Sequence, residues 1–139
     1  MCSSDLFLPR LVGPQQALEW CMTGRIFDAA EALKGGLVRS VHPAGELLAE
    51  ARKLAREIAD NTAPVSIAMT RHMLWRNSAQ PHPMDAHKID SRAIYRRSRS
   101  GDAMEGISSF LEKRPPHYPD KVSTDMPDFF PWWEEQVYS

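Results

Sequence analysis

GELLAEARKLAREIADN, residues 45–61, decides how the chain reads. Leu47, Leu48, Ala51, Leu54, Ala55 and Ile58 recur three and four apart, with charged residues opposite them. That period is the α-helical one, and it leaves a single apolar stripe to be covered. The segments on either side carry the same period, divided by proline and glycine. Upstream, Pro14 opens a helix at the position where its missing N–H is harmless, and Gly24 is a left-handed stop. Asp28 and Glu31 form a capping box for a short helix that ends at Gly35-Gly36. Downstream, Pro64 opens a helix reaching about Asn77, and residues 84–98 form another, with Ile94 and Tyr95 near its end. Asp102 and Glu105 read as a second capping box for a helix running to Arg114, with Met104, Ile107, Phe110 and Leu111 facing inward. Only residues 37–41, LVRSV, look like a strand, and nothing in the chain offers that strand a partner. The expected class is mainly α with one short strand, from a chain that is part of a larger fold.

Residues 115–139 differ in kind. They hold five of the 11 prolines and six of the aromatic residues, too much proline for a helix or a central strand. The segment is too aromatic for a free linker and is expected to lie extended across a surface. Charge supports this. Residues 62–101 carry a net +5, from Arg71, Arg76, Lys88, Arg92, Arg96, Arg97 and Arg99 against Asp85 and Asp90. The tail carries a net −4, so it is expected to fold back on the basic helices, in the same subunit or a neighbour.

The whole chain of 139 residues has a formal charge of −1, with 42% apolar and 25% charged residues. These values exclude a strongly basic nucleic-acid binder and a disordered chain as whole-chain descriptions. No apolar run approaches the roughly 20 residues that span a bilayer. Met1 to Arg10 lacks the basic-then-apolar order of a secretory signal, and Cys2 and Cys21 make no disulfide framework, so a cytoplasmic setting is expected.

Few residues invite chemistry. His82, Asp85 and His87 lack metal-ligand spacing, and a surface or packing role is expected. Arg92, Arg96 and Arg99 share a helix face beside Tyr95; a solvated or salt-bridged face is expected rather than a phosphate track. Cys21 has no base near it in sequence and reads as a buried thiol. No phosphate loop, zinc-protease helix or nucleophile elbow is present, so no catalytic or metal residue is assigned.

Residues 8–13 (LPRLVG), 17–19 (ALE), 23–29 (TGRIFDA), Glu31-Ala32 and 35–38 (GGLV) nevertheless form an ordered pattern. Ala55, Ile58, Ala59, Asn61, Ala63-Pro64, Ala68, Asp102, Glu105-Gly106 and 110–114 (FLEKR) extend it. In order and spacing it resembles the enoyl-CoA hydratase/isomerase (crotonase) family over residues 8 to about 117. The resemblance implies the C-terminal helical part of the ClpP/crotonase-like α/β fold, over residues 7–114. It further implies a substrate that is an enoyl-CoA thioester, hydrated or isomerised through an enolate-like oxyanion, with no cofactor beyond the substrate's coenzyme A. In the family, the oxyanion-hole amides and the glutamate acids or bases lie in the N-terminal half. Glu19 and Glu31 fall outside the catalytic motif. The chain is therefore expected to lack activity alone. By match to the family's last helix, Phe110 and Lys113 are the residues expected at the CoA nucleotide, the ring for adenine and the cation for a ribose phosphate. A homotrimer or a hexamer is the implied assembly. Cys2-Ser3-Ser4 matches a run of some family members, but Met1 and Asp5-Leu6 depart from it, and residues 1–6 read as a non-native or divergent scar. The competing reading is a non-catalytic helical module that oligomerises or binds a partner.

Overall fold

The computed structural model describes residues 6–135 and residue 137. The MCSS portion of the expected N-terminal scar, together with Asp5, lies outside them. Among the described residues the helices are α1 (Leu8–Val12), α2 (Pro14–Thr23), α3 (Ala29–Lys34), α4 (Leu47–Asn61), α5 (Pro64–Asn77), α6 (Pro83–Arg97) and α7 (Gly101–Glu112). They divide into two units, Met1–Lys53 and Leu54–Ser139.

The first unit is organised by local signals. Gly13, at φ +82°, separates α1 from α2, and Pro14 starts α2. Gly24 ends that helix in the left-handed region, at φ +60°, and its N–H donates to the Trp20 carbonyl at 3.1 Å. Such a φ costs glycine little and other residues more. Asp28 caps α3 by accepting from the Glu31 N–H at 2.8 Å. The expected box is only half made, because the Glu31 carboxylate turns away. It accepts from Trp20 Nε1 at 2.8 Å and pairs with Arg25. Trp20 is 5% exposed, stacks on Phe27 with ring centres 4.2 Å apart, and shares the unit's buried set with Ala17 and Ala32.

The expected strand does not form; no strand occurs among the described residues. The N–H groups of Leu37 and Val38 both donate to the Ala32 carbonyl, at 2.9 and 3.4 Å, so the run curls back over the end of α3. A strand needs a neighbour to take its ladder, and this run has none, which leaves local closure as the way to satisfy its amides. Cys21 also departs from expectation: it is exposed, because α2 turns Ala17 and Trp20 inward instead.

Helix α4 buries no residue, and Leu47, Leu48, Leu54 and Ile58 of its apolar stripe stand exposed. In the second unit α5 and α6 pack together, burying Val65, Met69 and Ala93. His82 proves to be the N-cap of α6, its Nδ1 accepting from the Met84 N–H at 3.0 Å, with Pro83 in the first turn.

The aromatic tail folds back on α5 and α6 of its own chain, as charge predicts. Arg96 pairs with Asp128, Arg76 lies 3.4 Å from the Trp133 ring centre, and Arg92 lies 4.4 Å from that of Phe129. His72 on α5 stacks on Trp133 at 5.1 Å and meets Phe130 edge-on at 5.2 Å. Burial in this stack, reinforced by the charges of Arg71 and Arg76, holds His72 below the ordinary imidazole range.

Candidate functional site

Helix α7 carries the two residues expected to meet a nucleotide, and its two faces behave differently. Its N-cap is Ser100, whose Oγ accepts from the Ala103 N–H at 3.3 Å. Asp102, expected as the cap, lies inside the helix instead. It is 3% exposed and accepts from Arg97 Nη2 at 2.5 Å and from the Asp120 N–H at 3.0 Å. Arg97 also pairs with Asp120 at 2.9 Å and donates through Nε to Ser66 Oγ at 3.3 Å. One part-buried guanidinium thus ties α5, α6, α7 and the returning chain together.

One turn further on, Glu105 accepts from both terminal nitrogens of Arg114, at 2.6 and 2.9 Å, and from the His117 N–H at 2.7 Å. The Arg114 hydrogen bonds, then that of His117, lower the Glu105 carboxyl from the ordinary 4.5 to about 2. A carboxylate with a depressed folded pKa stabilises the fold above its unfolded value and loses that contribution as pH falls. We expect acid to weaken the α7 return between about pH 4.5 and 2. Glu105→Gln should flatten the pH dependence of urea unfolding in that window; an unchanged profile would remove the Glu105–Arg114 pair from the account.

The opposite face of α7 is apolar and uncovered. Met104, Ile107, Phe110 and Leu111 are 63%, 57%, 82% and 72% exposed, contrary to the expectation that they face inward. Their spacing marks a face to be covered, but the covering surface is not among the described residues. Lys113 ends the helix in the left-handed region, at φ +55°, its N–H donating to the Phe110 carbonyl at 3.3 Å while the Arg114 N–H reaches the Ser109 carbonyl at 3.0 Å. This closure reverses the chain. Lys113 is therefore the cap of α7 rather than a residue within the helix that carries Phe110. Both side chains are exposed, and Lys113 joins no ion pair among the described residues.

Glu19 and Glu31 are engaged structurally. Arg25 bridges Glu19, at 2.8 Å, and Glu31, and with Trp20 it lowers Glu31 to about 2. A proton-transfer group works best with a pKa near the operating pH; Glu31 and Glu105 are displaced the other way. Asp85 pairs with Lys88 at 3.9 Å, and among the described residues no three ligands gather for a metal. The Arg97–Asp102–Asp120 tie and the Glu105–Arg114 pair had no signal in the sequence beyond residue type, since their partners lie up to 23 residues apart.

Comparison with known proteins identifies the family. Residues 2–121 match the family model described as enoyl-CoA hydratase/isomerase. The enoyl-CoA hydratase ACTT3 of Alternaria alternata is 39% identical over 121 residues, 86% of this chain and 40% of that protein. A carnitinyl-CoA dehydratase of Citrobacter koseri is 38% identical over 114 residues, 80% of this chain and 43% of that protein. The crystal structure of an enoyl-CoA hydratase from Bacillus anthracis superimposes with a TM-score of 0.76 at 31% identity, covering 83% of this chain and 44% of that one. The chain thus spans about two fifths of the length of the curated relatives it matches.

Proposed function

The chain belongs to the enoyl-CoA hydratase/isomerase family, and from that premise we propose that it is the coenzyme A-facing helical part of an acyl-CoA hydratase or isomerase. Phe110 and Lys113 meet the nucleotide end of the thioester's CoA, the exposed ring against adenine and the ammonium against the ribose phosphate. The observation that carries this reading is an 82% exposed phenylalanine in the last turn of α7 followed by an exposed lysine that caps the same helix. On the polar face of α7, Asp102 and Glu105 are tied to Arg97 and Arg114, which anchors the helix that carries Phe110 and ends at Lys113.

The reaction centre of the enzyme is supplied from outside residues 6–135. Hydration or isomerisation needs a carboxylate near its working pH and paired amide donors for the oxyanion. Glu31 and Glu105 are instead locked as anions on arginine. The exposed apolar faces of α4 and α7 fit subunit packing in a homotrimer or a hexamer. No cofactor is called for beyond the CoA of the substrate.

Retention on CoA-agarose tests the reading. The chain is expected to bind, and Lys113→Ala to lose about tenfold in apparent affinity, the scale of one charge-assisted contact. The same chain should leave the enone absorbance of crotonyl-CoA unchanged. Loss of that band would contradict the placement of the reaction centre elsewhere. Unaltered retention of Lys113→Ala would contradict the CoA contact.

A further inference from the structure

Where the tail crosses α6 it builds a concavity of about 360 Å³, lined by Ser91, Arg92, Tyr95, Arg96, Asp128 and Phe129. The match to the family model ends at residue 121, so Asp128 and Phe129 lie beyond the stretch shared with it. Arg96 is occupied: its Nε donates to Asp128 at 3.2 Å and its Nη2 to the second oxygen of the same carboxylate. Arg92 is not. Its guanidinium lies over the Phe129 ring, 4.4 Å from the centre, and among the described residues it meets no carboxylate.

A guanidinium stacked on a ring is oriented by the π face while keeping its in-plane N–H groups available. Those groups match a carboxylate in forked geometry. The lining carries two cations and one anion, an excess of one positive charge, which suits a single carboxylate. Tyr95 from α6, which also carries the Arg99 guanidinium 3.8 Å from its ring centre, and Phe129 from the tail line the concavity with rings, which favour a flat aromatic body. We propose that this concavity is a binding site for a small aromatic carboxylate, anchored by Arg92 and stacked on Phe129 and Tyr95. It requires nothing of the CoA contact at Phe110 and Lys113.

Calorimetric titration of the chain with 2-naphthoate tests the site, alongside cyclohexanecarboxylate, which lacks the flat ring, and 2-naphthamide, which lacks the charge. Naphthoate is expected to bind saturably at one site, with each control at least about tenfold weaker. Arg92→Gln, at an exposed position, should weaken naphthoate by about tenfold with an unchanged circular dichroism spectrum. Phe129→Leu should abolish the preference for naphthoate over cyclohexanecarboxylate. Lys113→Ala should leave naphthoate binding as it is, which separates this site from the CoA reading. Absence of saturable binding, equal affinity for all three compounds, or undiminished binding to Arg92→Gln would overturn the proposal.

Discussion

Trp20→Ala is expected to cost the first unit about 3–5 kcal/mol, the scale for truncating a buried aromatic side chain. Three contacts go at once: the stack on Phe27, the hydrogen bond to Glu31, and the contact with Gly35. The loss of Nε1 also leaves Glu31 with Arg25 and its own cap as its remaining support. Amide hydrogen exchange on α2 and α3 reads the effect, because fast exchange confined to those helices locates the loss. Gly35→Ala is a steric companion. Its Cβ would lie 2.5 Å from Trp20 Cη2 and 2.8 Å from Cζ2, while its φ of −78° suits alanine. Any destabilisation is then a clash with the indole rather than backbone strain, at about 1–3 kcal/mol for overpacking. Exchange protection retained in both variants would show that Trp20 is not the organising side chain of this unit.

Asp102→Ala is the second large effect, at about 3 kcal/mol of unfolding free energy. Removing one partner of a buried pair leaves the other charge poorly compensated. Arg97, 14% exposed, would retain Asp120 but lose its 2.5 Å contact, and the Asp120 N–H would lose its acceptor. Asp102→Asn keeps an acceptor for that N–H and removes only the charge, so it should fall between alanine and the native residue. Urea denaturation followed by circular dichroism gives the ordering. Equal stability of the alanine and asparagine variants would mean that the Asp120 N–H contributes nothing measurable.

The helices were legible where their signals are local. Pro14, Gly24 and Asp28 mark the bounds of α2 and α3, and each acts through its own backbone or the next turn. The same logic failed where two signals compete. Ser100 and Asp102 are both good caps two residues apart, and the choice rests on Arg97 claiming Asp102 from elsewhere in the unit. Periodicity showed that Met104, Ile107, Phe110 and Leu111 form one face but not what covers them, so the inward orientation expected for them was wrong. Residues 37–41 carry strand-like side chains without a neighbour to pair with, and strand propensity depends on that neighbour. Lys113 illustrates a subtler limit. Its place in the FLEKR run was readable, yet a lysine gives no sign that it will take the left-handed φ of +55° that makes it a cap.

We propose that the end of α7 receives the nucleotide of coenzyme A. Calorimetric titration of the chain with coenzyme A and with dephospho-coenzyme A addresses it most directly, because the two ligands differ only in the ribose phosphate assigned to Lys113. The account predicts saturable binding of coenzyme A and affinity about tenfold lower for the dephospho form. Equal affinity for the two, or no binding of either, would contradict it.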